Sequence, residues 1–224
     1  MYSFLGHKHL LDRKKKLPEY PAFSAIGSYA QTTGTVTVIN VPYPSTINAN
    51  DIILMIVSKT TWDYNMASSG WTKITHRAYP DTHVFWKRAT GSESGTAPVT
   101  LAAVDGITRA YMITYSGCIE TGTPWESVGT TSGGGSTLQI NVYYHQRCKA
   151  IGVFGTVLNS SFALQYSVPA LERFEKYSAP GNFVLEYDVP DDYATNPPTY
   201  PYMRVYFGGT KEAMGILFYL KPKE

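Results

Sequence analysis

Short runs of β-branched, aromatic and aliphatic residues, cut at regular intervals by Gly, Pro, Asn and Asp, recur along most of this chain. Nowhere does it show the apolar spacing of three and four residues that an amphipathic helix requires. The runs are residues 35–41 (TVTVINV), 51–58 (DIILMIVS), 71–77, 83–89, 99–104 and 108–117, then 137–144, 149–158, 162–168, 171–177, 182–189, 203–207 and 213–220. The first alternates β-branched residues. The second is continuously apolar and suits a strand buried on both faces. These thirteen short runs with turn signals between them predict an all-β chain, an antiparallel β-sandwich of jelly-roll-like form, and disfavour a doubly wound α/β fold. No helical heptads are present, so any trimer forms through sheet or loop surfaces.

The first seventeen residues, MYSFLGHKHLLDRKKKL, stand apart. Lys8, Arg13, Lys14, Lys15 and Lys16 face only Asp12, so the positive formal charge sits there and the rest of the chain is slightly acidic. We expect residues 1–30 to form a basic extended arm and 31–224 the sandwich. Pro18, Pro21 and Gly27 keep the segment after the basic run extended along a surface. The arm has too little apolar area to be ordered alone, and an acidic groove on a neighbouring subunit is its expected partner. Nucleic acid is a weaker fit, because the charges are few and no stacking platform accompanies them. Charged residues make up only 16% of the chain against 14% aromatics; this suits buried protein interfaces, although β proteins in general favour Tyr and Thr. No apolar run reaches the ~18 residues of a membrane span, and no cleavable leader pattern opens the chain. Cys118 and Cys148 lack metal-ligand spacing and are expected as buried free thiols.

The search for chemistry is mostly negative: no G-x-S-x-G, P-loop, H-E-x-x-H or G-x-G-x-x-G pattern occurs. No catalytic residue, cofactor or metal is therefore assigned. Gly133, Gly134 and Gly135 read as a flexible loop tip. His76 and His83 flank the turn AYPD and can meet across a hairpin with Asp81 nearby, but residues so placed are usually solvated. Asp188, Asp191 and Asp192 offer carboxylates for a weak Ca²⁺ site or form a solvated turn. A glycosidase carboxylate pair leaves no spacing to read. Three loops stand out, at 60–70, 119–136 and 190–202. In or beside them lie Trp62, Tyr64, Trp125, Tyr193, Tyr200 and Tyr202, which either contact a partner or fold back as plugs over the sandwich ends.

From Val36 to Gly117 the sequence resembles a β-sandwich domain of structural and tail-associated proteins of tailed bacteriophages. The features that carry it are VTVINVPYP, Asn50-Asp51 before IILMIVS, Ser68-Ser69-Gly70-Trp71, the run from Phe85 to Gly95 (FWKRATGSESG), and Tyr115-Ser116-Gly117. The chain departs from the pattern at Asn50, where glycine is usual, at Ser68, where proline is usual, and at Cys118, where an aliphatic residue is usual. The resemblance implies a non-enzymatic, homo-oligomeric virion component that serves in capsid decoration, collar or tail-fibre attachment and is assembled in the host cytoplasm. Its partners would be other virion proteins. The rival is a carbohydrate-binding module at a fibre tip, with a host-surface glycan as partner. In the motif itself, Gly70 and Gly117 are expected to relax strand ends, Trp71 and Trp86 to supply core area, and Glu93 to accept bonds from turn amides.

Overall fold

The computed structural model describes residues 19–78, 80–142, 147–157, 162–166, 170–176, 180–189 and 202–223. Their regular structure is entirely β. The strands are β1 (Ala22–Ile26), β2 (Ala30–Thr33), β3 (Val38–Pro42), β4 (Ile52–Lys59), β5 (Thr72–Arg77), β6 (Asp81–Arg88), β7 (Thr96–Thr100) and β8 (Ile107–Ser116), then β9 (Trp125–Asn141), β10 (Lys149–Thr156), β11 (Phe162–Tyr166), β12 (Leu171–Lys176), β13 (Gly181–Asp188) and β14 (Tyr202–Leu220). One sheet runs β1-β8-β4-β6-β5 with β2 also on β8. A second runs β11-β14-β10-β13-β12 with β9 on β14, and β3 pairs with β7 in a separate ribbon. Every pairing is antiparallel. The arrangement is sandwich-like, and each large sheet comes from one contiguous half of the chain.

Side-chain alternation explains the layers. Ile52, Leu54 and Ile56 of β4 join Tyr111, Ile113 and Tyr115 of β8 and meet Ile151, Val153, Ile216 and Phe218 of the second sheet in the inter-sheet core. The opposite face of β4, with Ile53, Met55 and Val57, packs under Ile39, Val41 and Val99 of the small ribbon. Layers on both faces account for the continuous apolar run of β4, which is buried throughout.

The third core lies within the second sheet, which curls over itself. Near the middle of the β9–β14 ribbon the register slips, so that residues 207–210 stand opposite Ser136 alone. Beyond that bend Leu138, Ile140, Met203 and Val205 lie over Phe154, Leu185, Leu217 and Tyr219. Gly152 and Gly215 make room: a Cβ there would sit 2.8 Å from Met203 Sδ and 2.5 Å from Ile140 Cδ1.

Several expectations change here. Gly133, Gly134 and Gly135 are not a loop tip but lie inside β9, paired with Ala213, Glu212 and Lys211; backbone ladders need no side chains, so a glycine run carries no veto on pairing. Most of the loop expected at 119–136 is therefore strand, and the runs at 203–207 and 213–220 are one strand. β7 starts earlier than the run at 99–104, and within the segment expected to run extended along a surface residues 22–26 form an edge strand paired with β8. Trp71 and Trp86 flank cores and are half-buried. Cys118 and Cys148 are free and buried, as expected, and burial pushes both thiols up to about 12.

Two of the motif positions singled out in the sequence have geometric reasons. Asn50 adopts φ 71°, the left-handed region where glycine is favoured and Asn is the best tolerated substitute. Glu93 accepts the Thr90 and Gly91 amides at 2.9 and 3.0 Å and meets Lys87 Nζ at 3.1 Å. Burial alone would raise its carboxyl; these bonds outweigh that and hold it at about 2.

Candidate functional site

At one end of the first sheet, β4 leaves the core at Lys59 and the chain crosses the outer face as residues 60–70. This segment is held by its own bonds. Thr60 N donates to Ile107 O, and Ile107 N returns a bond to Thr60 Oγ1, both at 3.0 Å. Ala67 exchanges two backbone bonds with Thr100. Ser68 Oγ donates to Pro98 O at 2.7 Å, and Met66 is fully buried below.

The centre of the segment is Trp62-Asp63-Tyr64. Asp63 points inward: its Oδ2 accepts the Ala102 amide at 2.5 Å and lies 3.6 Å from Lys59 Nζ. Its own amide donates to Asp81 Oδ2 at 2.5 Å. Lys59 also caps Ala102 O at 3.0 Å. Asp81 Oδ1 in turn sits 3.2 Å from His83 Nε2. Lys59, Asp63, Asp81 and His83 are all at most 2% exposed, and Lys59 supplies the buried counter-charge beside Asp63. Turning Asp63 inward sends its neighbours outward, and Trp62 and Tyr64 are 47% and 48% exposed.

The two rings meet edge to face at 5.6 Å. From them a file of rings descends into the protein: Tyr64 edge-on to His76 at 5.7 Å, His76 stacked on His83 at 5.0 Å, and His83 stacked on Phe85 at 5.9 Å. His76 and His83 are direct cross-strand partners on β5 and β6. Burial first, then the neighbouring His83, lowers the pKa of His76 below the ordinary histidine value, which keeps its exposed ring neutral near pH 7. Lys73, on the same strand, holds its ammonium 5.6 Å from the centre of the Phe85 ring, where burial lowers its pKa against the opposing pull of Asp81 and Asp63.

Trp62 and Tyr64 are thus brought together. Trp125 is elsewhere: it opens β9 opposite Leu220 and packs, partly buried, on the inter-sheet core. Lys8, Arg13, Lys14, Lys15, Lys16, Tyr193 and Tyr200 lie outside the described residues, as do Asp191 and Asp192. The histidine pair meets as its spacing about the turn suggests, with one correction: His83 is fully buried, not solvated. The sequence reading missed Lys59, Asp63 and Lys73. Only the inward Asp between two outward aromatics could have flagged Asp63, and that alternation is legible only once the segment is known to lie flat on a sheet.

Asp63, Asp81 and His83 are buried beneath the exposed rings, and no grouping of three His, Cys, Asp or Glu side chains suited to a metal occurs among the described residues. A second charged cluster lies at the sheet ends, where Lys149 Nζ is 3.3 Å from Glu186 Oε1 and 2.7 Å from Asp188 Oδ1. Arg173 also pairs with Glu186 and covers the Phe23 ring at 4.6 Å. The cavity beside it measures 140 Å³, too small for most ligands. No protein-family model, curated protein or solved structure matches this chain.

Proposed function

We propose that this chain is a non-enzymatic structural and binding component of a tailed-phage virion, a jelly-roll-like sandwich that engages its partner through the Trp62–Tyr64 platform. The observation that carries the reading is the pinned Trp62-Asp63-Tyr64 segment. Two large aromatics are held in solvent by Asp63, whose carboxylate takes the Ala102 amide and Lys59 and whose own amide donates to Asp81. Exposed aromatics on a prearranged support bind at low conformational cost and are the residues on which interface energies concentrate. The likeness of residues 36–117 to phage tail and decoration domains supplies the virion setting. The basic segment with Lys8, Arg13, Lys14, Lys15 and Lys16 serves as the extended arm that joins neighbouring subunits.

The test is incorporation into assembled particles by the Trp62→Ala/Tyr64→Ala double variant. Incorporation should fall at least about tenfold, equivalent to about 1.4 kcal/mol, with thermal unfolding unchanged because both rings are half in solvent. Normal incorporation of the folded double variant would remove the platform from assembly.

A further inference from the structure

We infer that the outer edge of β9, residues 128–134, pairs antiparallel with the same edge of a second copy of this chain about a two-fold axis. The inference goes beyond the Trp62–Tyr64 platform and does not rest on it. β9 is hydrogen-bonded to β14 on one side only, in unbroken register from Val128 opposite Phe218 to Gly135 opposite Lys211. No other backbone bond from residues 128–135 occurs among the described residues. A row of N–H and C=O groups therefore faces outward along a stretch whose Val128, Thr130, Ser132 and Gly134 are exposed. Every other edge among the described strands carries a device against such pairing. β1, β5 and β12 break register at residues 23–25, 73–75 and 172–174, and β5 and β12 are charged besides. β2 and β11 span only four and five residues, and β3 and β7 contain Pro42 and Pro98. β9 has no such guard, since residues 127–141 include neither a charge nor a proline.

The occupant is a second copy because the edge complements itself. A two-fold at Thr131 sets Thr131 against Thr131 and Thr130 against Ser132, cross-strand pairs that are favourable. It also sets Val128, the largest side chain of the segment, against Gly134 of the other copy. The basic N-terminal arm of a neighbour would find no carboxylate in residues 127–141 to hold it. One two-fold contact uses both edges, so the assembly closes as a dimer instead of growing into a fibre. The axis brings the two copies of Arg77 near one another, each donating to Ser132 Oγ at 2.6 Å. Salt that screens their repulsion should therefore tighten the pair, whereas an arm in an acidic groove would loosen.

The experiment follows the full chain by sedimentation velocity from about 1 µM to about 1 mM protein, at about 0.05 and about 0.5 M salt. A dimer that tightens with salt is expected. Gly129 and Gly133 have nothing within 4 Å of a built Cβ, and the proposed axis places each opposite the other. Gly129→Lys/Gly133→Lys therefore sets like charges face to face and should raise the dimer Kd at least about tenfold. Gly129→Lys/Gly133→Glu sets opposite charges there and should bring Kd back to within about threefold of the parent. In the unaltered chain, amide exchange at residues 128–134 should slow as the dimer fills. A chain that stays monomeric throughout, equal Kd for the two double variants, or exchange at 128–134 that ignores dimerisation would overturn the inference. So would a dimer that salt weakens and that Lys14→Ser/Lys15→Ser/Lys16→Ser abolishes, an outcome that assigns the contact to the arm.

Discussion

At Asp63 and at Glu93 a single carboxylate organises a turn, by opposite routes. Asp63 does so from full burial, with Lys59 and the Ala102 amide on its carboxylate and its own amide donating to Asp81. Glu93 does so at the surface edge, gathering the amides of Thr90 and Gly91 and the ammonium of Lys87. Because its folded pKa is depressed to about 2, its contribution to stability is complete above the unfolded carboxyl value. It is lost as pH falls through the folded one. Glu93→Gln should therefore cost about 1.5 to 3 kcal/mol near neutrality, the range for bonds to a charged group. The gap between variant and parent in urea midpoint should then close between about pH 4.5 and pH 2. A gap that stays constant across that window would mean that the turn is held by geometry alone.

Among the elements, the β9–β14 ribbon is the least conventional, since both strands are long and the pair folds back over its own sheet. Its glycines divide into two kinds. Gly133 and Gly134 have nothing within 4 Å of a built Cβ, whereas a Cβ on Gly215 would meet Ile140 Cδ1 at 2.5 Å and Cγ1 at 2.9 Å. Gly215→Ala should cost about 1 to 3 kcal/mol through overpacking. Gly134→Ala should be neutral or stabilising by about 0.4 to 1 kcal/mol, because it narrows the unfolded ensemble without a clash. Thermal unfolding of the two variants side by side checks this, and equal melting temperatures would show that the folded-over half does not press on the sheet. Gly152→Ala should cost less than Gly215→Ala, because the atom it meets is the sulfur of flexible Met203.

For the molecule as a whole, the decisive surface is the one between the sheets. Its apolar side chains come from both halves of the chain, and polar links cross with them. Ser58 Oγ donates to Asn182 Oδ1 at 2.8 Å, and Arg109 Nη1 reaches Pro180 O at 3.0 Å. The last residues close the seam: Ile119 N donates to Lys221 O at 3.0 Å, Lys221 N to Pro124 O at 2.9 Å, and Lys223 N to Gly117 O at 2.8 Å. Residues 1–120 and 121–224 produced separately should each expose a broad apolar face, bind a hydrophobic dye and aggregate. Produced together, they should form a soluble pair with the melting transition of the intact chain. A half that is monomeric and unfolds cooperatively by itself would show that the sheets do not depend on one another.

Much of this was legible in the residues, because it depends on nearest neighbours along the chain. The run DIILMIVS announced a strand buried on both faces, the equal distances of His76 and His83 from their turn announced a cross-strand pair, and Gly70, Gly117 and Glu93 announced left-handed or amide-rich turns. What remained hidden depends on partners far away in sequence. The Gly133–Gly135 run is strand only because residues 211–213 arrive beside it, and a glycine has no side chain by which to declare a preference. His83 is buried rather than solvated because its ring lies between those of His76 and Phe85 and beside Asp81. Asp63 is an anchor only because Asp81 and the Ala102 amide converge on it. Local periodicity decides which residues extend and which face they share. Only the packing of one sheet on another decides which polar groups lose water, and so which aromatics, Trp62 and Tyr64, are left facing it.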